Sequence, residues 1–182
     1  MTGEPIEKRA TALEIRSKGR RLEGYAATFG TEARIGSFRE TIRAGAFAKS
    51  LDEKRDVLAL VDHDPTRVLA RTKSGTLRLA EDGRGLAFAL DVPDTQAGRD
   101  VLALAERGDL GGMSFGFRVP AGGDVWSGEA RELVKVDLFE ISVVQAFPAY
   151  DGTTVDARSR VVTAPMPLAV ARFRLASLGV RA

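Results

Sequence analysis

Residues 111–117 read Gly-Gly-Met-Ser-Phe-Gly-Phe, so large apolar side chains alternate with glycine and serine. Because successive side chains of a β-strand point to opposite faces, a strand over 110–119 places the Met and Phe side chains on one face and Ser114 on the other. Glycines beside Ser114 leave room for a substrate to approach a hydroxyl nucleophile. The alternative is structural, since glycine in a strand also marks bulges and barrel corners.

The rest of the chain predicts a strand-rich domain with two helices. In chain order the predicted elements are a hairpin of strands 9–17 and 21–28, a loop at 29–43, a helix at 44–55, a strand ending at His63, an antiparallel meander of strands 67–73, 76–80 and 85–92, a helix at 95–107, and strands 110–119, 130–136 and 138–144. Thr95 can cap the second helix, and Gly108 can end it. We predict an α+β, β-rich fold whose antiparallel sheet is curled or closed into a β-barrel, with a few surrounding helices.

Composition excludes several classes of site. The 182 residues include no cysteine and one histidine, which excludes disulfides and thiolate chemistry and argues against a metal site; no cofactor is expected. The first ten residues lack the apolar core of a secretion signal, and charges interrupt every apolar stretch, so we expect a soluble protein that is not exported. Residues 157–182 contain five arginines and no aspartate or glutamate. We therefore divide the chain into a domain, 1–155, and a basic, partly amphipathic tail, 156–182.

His63 is the sole imidazole and follows an apolar run at 57–61. Imidazole can take and return a proton near neutral pH, and without cysteine its partner nucleophile has to be a hydroxyl. A purely structural histidine at a strand end is the alternative. The Gly-x-Ser-x-Gly spacing around Ser114 is not an esterase elbow, because no βαβ unit surrounds it.

A carboxylate that orients the imidazole would complete a catalytic triad. Asp62 and Asp64 adjoin His63 but point away from it if the strand continues. Asp137 and Glu140 lie on the last predicted strand, and strict alternation places Glu140 on one face with Leu138, Ser142 and Val144. A carboxylate in such an apolar strand needs a partner, and a buried salt bridge is as acceptable as a catalytic role.

Five sequence blocks together resemble, in order and spacing, the tailed-phage prohead protease family. They are 24–29 (GYAATF), 42–47 (IRAGAF), 61–65 (VDHDP), 108–117 (GDLGGMSFGF), and 138–144 (LFEISVV) followed by 148–150 (PAY). The resemblance covers about residues 20 to 155 and departs at Ala70, where such chains often carry glycine. It implies a serine endopeptidase with a fold similar to the herpesvirus capsid-maturation proteases. His63 matches the catalytic histidine, Ser114 the nucleophile and Glu140 the third residue, with Asp137 close by.

The resemblance also implies where and on what the protein acts. The implied substrates are scaffold protein, the scaffold-like segment of the major capsid protein, and the protease's own chain, inside a prohead assembling in the bacterial cytoplasm. The herpesvirus relatives are dimers, so the resemblance allows a homodimer without requiring one. For the tail we expect a mobile terminus; the alternative, suggested by its amphipathic helical spacing, is a tether to scaffold or capsid protein that self-cleavage removes. The rivals are a non-catalytic capsid assembly component and a β-rich nucleic-acid-binding domain, the latter disfavoured by the few exposed aromatics expected.

Overall fold

The computed structural model describes residues 5–11 and 15–146. Within them, thirteen β-strands form three sheets, and there are two α-helices. They are β1 (Glu7–Thr11), β2 (Ile15–Lys18), β3 (Arg21–Thr28), β4 (Ala33–Ile35), β5 (Phe38–Ile42), α1 (Ala48–Asp52), β6 (Leu58–Val61), β7 (Asp64–Arg71), β8 (Leu77–Glu81), β9 (Gly85–Asp91), α2 (Gln96–Arg107), β10 (Gly112–Arg118), β11 (Asp124–Ser127), β12 (Ala130–Leu133) and β13 (Asp137–Val144). The sheet orders are β1-β10-β13-β6-β7, β11-β12-β5-β4 and β2-β3-β9-β8.

The five-stranded sheet supplies the centre of the core. Met113, Phe115 and Phe117 project from β10 and are at most 1% exposed. The Phe115 ring stacks on Phe117 at 5.0 Å and meets Phe47 edge-on at 5.5 Å. The predicted alternation of β10 is therefore confirmed on its apolar face, and this burial fixes the direction of Ser114 on the other face.

Helix α2 agrees with its prediction at both ends. The Thr95 hydroxyl accepts a hydrogen bond from the Gly98 amide at 3.2 Å, which satisfies one of the free amides of the first turn. Gly108 ends the helix at φ 73°, a left-handed conformation that favours glycine. Val101 and Leu102 face the core.

The predicted loop at 29–43 is wrong, because it contains β4 and β5. β5 pairs antiparallel with β4 and parallel with β12. Its inward residue is Glu40, which is 3% exposed and ion-paired with Arg9 at 2.6 Å and Arg131 at 3.1 Å. A charged residue facing inward removed the apolar alternation from which a strand is usually recognised.

Three other predicted elements are wrong in part. The strand at 9–17 is two strands in different sheets, since β1 pairs with β10 and β2 with β3; residues 12–14 lie outside the described part. The helix predicted at 44–55 is shorter, because α1 spans only Ala48–Asp52. Gly45, inside the predicted helix, has a φ of 93°, which is not helical. The meander also divides, because β7 pairs with β6 whereas β8 pairs with β9. Alternation within each strand is the same for any partner, so it does not reveal these pairings.

The β-rich architecture with two helices is confirmed, but a closed antiparallel barrel is not. Among the described strands each sheet has two free edges, and two pairings, β5 with β12 and β6 with β13, are parallel. Neither described helix is long and apolar enough to cross a bilayer. The predicted tail, 156–182, and the Pro148-Ala149-Tyr150 block lie outside the described residues.

Candidate functional site

His63 lies in the two-residue turn between β6 and β7. Asp62 has φ 51° and His63 φ 60°, as in the type I′ hairpin turn, which requires positive φ at both central residues. Each non-glycine residue in this conformation costs about 1–2 kcal/mol, so neighbouring contacts must hold it. Two of these come from the end of β13: the Asp62 amide donates to the Val143 carbonyl at 3.0 Å, and the Gln145 amide donates to Asp62 Oδ1 at 2.9 Å.

Three polar residues face the same side of the two central strands. β10 and β13 pair antiparallel, with Ser114 opposite Ser142 and Gly116 opposite Glu140. Residues directly opposite each other share a face, and so do residues two apart on one strand. Ser114, Glu140 and Ser142 therefore lie on one face. β13 also runs parallel to β6, which places the His63 turn at the end of β13 where Ser142 lies.

Glu140 contacts the imidazole directly. Glu140 Oε1 lies 2.5 Å from His63 Nδ1, and the two side chains are 11% and 15% exposed. An ionised carboxylate can only accept, so this contact puts the imidazole proton on Nδ1 and leaves the lone pair on Nε2. The pair is thus arranged to accept a proton at Nε2 and to stabilise the resulting imidazolium.

Ser114 is close in the sheet but not hydrogen-bonded to the imidazole. It is 0% exposed, and its hydroxyl has no hydrogen-bond partner within the described parts of the chain. Buried hydroxyls without a partner are rare, and a catalytic role is one reason to retain one. The bond between Ser114 and His63 that base-assisted attack needs is not formed in this structure; such bonds often tighten only with substrate bound.

The carboxylates of the other candidates form no hydrogen bond or ion pair with the His63 ring in the described residues. They are engaged elsewhere: Asp62 with Gln145 and Arg67, Asp64 with Thr66, and Asp137 with Arg55. The Thr66 hydroxyl and amide hold the pKa of Asp64 below its usual value. Of the four carboxylates considered, only Glu140 is positioned to orient the imidazole.

The structure gives Gly116 a role that the sequence analysis did not. A Cβ on Gly116 would lie 2.3 Å from Glu140 Oε1, so the space left by this glycine is filled by the carboxylate rather than kept for substrate. A register shift also follows Gly116, after which Phe117 pairs with Leu138. Because a bulge interrupts alternation, Leu138 shares the face of Phe117, and the predicted placement of Leu138 beside Glu140 is wrong.

No group of three or more metal-ligating side chains is assembled within residues 5–11 and 15–146. The site as described consists of one hydroxyl without a partner, one oriented imidazole and one carboxylate, the residue types of acyl-transfer chemistry.

Comparisons with known proteins agree with this chemistry. The family described as caudovirus prohead serine protease matches residues 6–166. The fold is similar to a solved structure of the bacteriophage T4 capsid assembly protease, with a TM-score of 0.53 and 12% identity over 76% of this chain and 95% of that one. A search of curated protein sequences finds no significant match.

Proposed function

The chain belongs to the caudovirus prohead serine protease family, and from this we propose that Ser114 is the nucleophile, His63 its general base and Glu140 the residue that orients His63. The family description, a prohead serine protease, supports a serine protease of phage capsid maturation. The observation that carries the residue assignment is the 2.5 Å contact between His63 Nδ1 and Glu140 Oε1, on the sheet face that also carries Ser114.

The proposed reaction begins with rotation of the Ser114 hydroxyl toward His63 Nε2. Nε2 takes the proton as Oγ attacks the peptide carbonyl, and the imidazolium then gives that proton to the leaving amine. Water, deprotonated by the same nitrogen, hydrolyses the acyl-enzyme and restores Ser114. Throughout, Glu140 keeps the Nδ1 proton in place and stabilises the charged ring.

The proposed substrates are scaffold protein, the scaffold-like segment of the major capsid protein, and the protease itself. The action of the family in capsid maturation supports this choice, as does the fold shared with a capsid assembly protease. The site of action is the interior of the assembling prohead in the bacterial host. A homodimer and a closed barrel remain predictions by analogy with the herpesvirus enzymes.

A non-catalytic capsid assembly component is the second candidate, and the full burial of Ser114 favours it. A nucleophile that no solvent reaches must become accessible before a substrate can react with it. The two candidates differ in whether Ser114 ever reacts.

Co-expression with the major capsid protein and scaffold protein of the same phage tests the function. We expect wild-type protein and the exposed-serine control Ser17→Ala to produce new termini, mapped by mass spectrometry, whereas Ser114→Ala folds but leaves both substrates intact. In parallel, a fluorophosphonate probe should phosphonylate Ser114 Oγ with loss of fluoride. Cleavage retained by Ser114→Ala would remove this residue from the mechanism, and absence of both cleavage and labelling in the wild type would favour the assembly component.

A further inference from the structure

Ser142 is a buried serine that the proposed triad does not use. It lies on β13 between Ser114 of β10 and Leu60 of β6, and it is 0% exposed. Its hydroxyl donates to Glu140 Oε2 at 2.7 Å and accepts from the His63 backbone amide at 3.0 Å. One oxygen atom therefore contacts the proposed orienting carboxylate and the backbone of the proposed base.

The hydrogen bonds of the Ser142 hydroxyl limit its role in the reaction. A serine hydroxyl has a single proton, and Ser142 donates it in the hydrogen bond to Glu140. Ser142 therefore has no proton left to donate to the imidazole or to Ser114 while these contacts persist. Its influence on the chemistry passes through the two groups that it holds.

Both of those groups need a second anchor. The Glu140 carboxylate is held at Oε1 by His63 and at Oε2 by Ser142, so its plane is fixed at two points. His63 is held at its ring by Glu140 and at its amide by Ser142, in a turn with an unfavourable positive φ. Loss of the hydroxyl leaves the carboxylate free to rotate about one contact and leaves the part-buried His63 amide without its acceptor.

We propose that Ser142 is a positioning residue that joins the Glu140 carboxylate to the His63 backbone and so holds the imidazole in place for Ser114. The proposal rests on the proposed function of the other three residues. It assigns no direct contact with substrate to Ser142.

The test compares Ser142→Thr with Ser142→Val, because these side chains have nearly the same shape and differ in the hydroxyl. We expect the Thr variant to keep the fluorophosphonate labelling rate within a few-fold and the Val variant to lose roughly ten- to a hundredfold, the usual effect of losing hydrogen bonds to a charged group. With a peptide containing the mapped cleavage site, the loss should lie in kcat and not in KM. Ser142→Ala should behave as the Val variant does.

A spectroscopic readout separates positioning from general damage. His63 is the only histidine, so its imidazole gives one set of ring signals in the whole protein. We expect its Nδ1 proton signal, held downfield by Glu140, to move or broaden in the Val and Ala variants and to persist in the Thr variant. The control is Ser50→Ala, which removes another buried serine bonded to β13, at the Leu138 amide at 2.9 Å, and should leave the ring signals unchanged.

Equal labelling and equal ring signals in the Thr and Val variants would overturn the proposal, as would the same spectral change in Ser50→Ala. If wild-type Ser114 is not labelled at all, the proposed function fails, and the ring signals alone still decide whether Ser142 positions the pair.

Discussion

Replacing Gly116 with alanine tests the site by adding one methyl group. The new Cβ would lie 2.3 Å from Glu140 Oε1 and 3.0 Å from both Cγ and Cδ of that residue. The backbone at Gly116 does not have the positive φ that excludes alanine, so the methyl group itself is the perturbation. The atom that it displaces is the one that contacts His63.

The geometry gives the size of the effect. Ordinary contact with a Cβ begins at 3.4 Å, so Oε1 must retreat by about 1 Å. The contact of 2.5 Å with His63 Nδ1 does not survive such a movement as a short hydrogen bond. Losing a hydrogen bond to a charged group costs about 1.5–3 kcal/mol, which corresponds to a roughly ten- to 150-fold slower reaction. The free energy of unfolding should fall by less than this cost. Alanine lowers the conformational entropy of the unfolded chain relative to glycine, and this offsets part of the lost hydrogen bond.

The assay is the rate of fluorophosphonate labelling at Ser114, followed by intact mass. Gly83→Ala is the matched control, since a Cβ there meets no atom within 4 Å; its labelling rate should equal that of the wild type. In a Glu140→Ala background, Gly116→Ala should cost nothing further, because its target is gone. Wild-type labelling by Gly116→Ala, or the same cost in both backgrounds, would refute the reasoning.

Two further predictions concern the buried charges around β5. Glu40→Gln should lower the free energy of unfolding by about 3 kcal/mol in urea denaturation, because Arg9 and Arg131 lose the most buried of the carboxylates that pair with them and keep only the more exposed Glu7 and Asp124; a loss below about 1 kcal/mol would contradict this. Burial raises the pKa of Glu7, but hydrogen bonds from Arg131 and Arg9 outweigh it and bring the pKa below its usual 4.5. Its stabilising contribution is therefore present above about pH 4.5 and is lost as the pH falls further, so the stability of Glu7→Gln should decline less steeply toward about pH 3; equal slopes would exclude Glu7 as a cause.

Local patterns predicted the elements whose stability is local. Helix α2 carries its own cap at Thr95 and its own stop at Gly108, and β10 shows its two faces in consecutive residues. β5 was missed because its inward residue is Glu40, and a buried carboxylate is recognisable only with Arg9 and Arg131, which are 31 and 91 residues away. The separation of β1 from β2 depends on strand partners, which alternation does not specify.

The site was predictable in its residue types but not in its geometry. A sole histidine and a serine between glycines indicate acyl-transfer chemistry, and the family resemblance selected Glu140. Without that resemblance, the residue pattern could not separate Glu140 from Asp137. The structure pairs Asp137 with Arg55 and brings Glu140 to the imidazole across 77 residues. It also showed that Gly116 accommodates a carboxylate, which required the β10–β13 register.

Two neighbouring strands and one turn determine how far the site is organised before substrate arrives. β6 and β13 run parallel and adjacent, so the turn that ends β6 lies at the same end of the sheet as Ser142. Three hydrogen bonds join Asp62 and His63 of this turn to residues 142, 143 and 145. The proposed base and its carboxylate are therefore already oriented, whereas the Ser114 hydroxyl has no partner among the described residues. Reorganisation before the proposed attack then falls on Ser114, whose hydroxyl has to turn toward His63 and whose buried position has to become accessible to substrate.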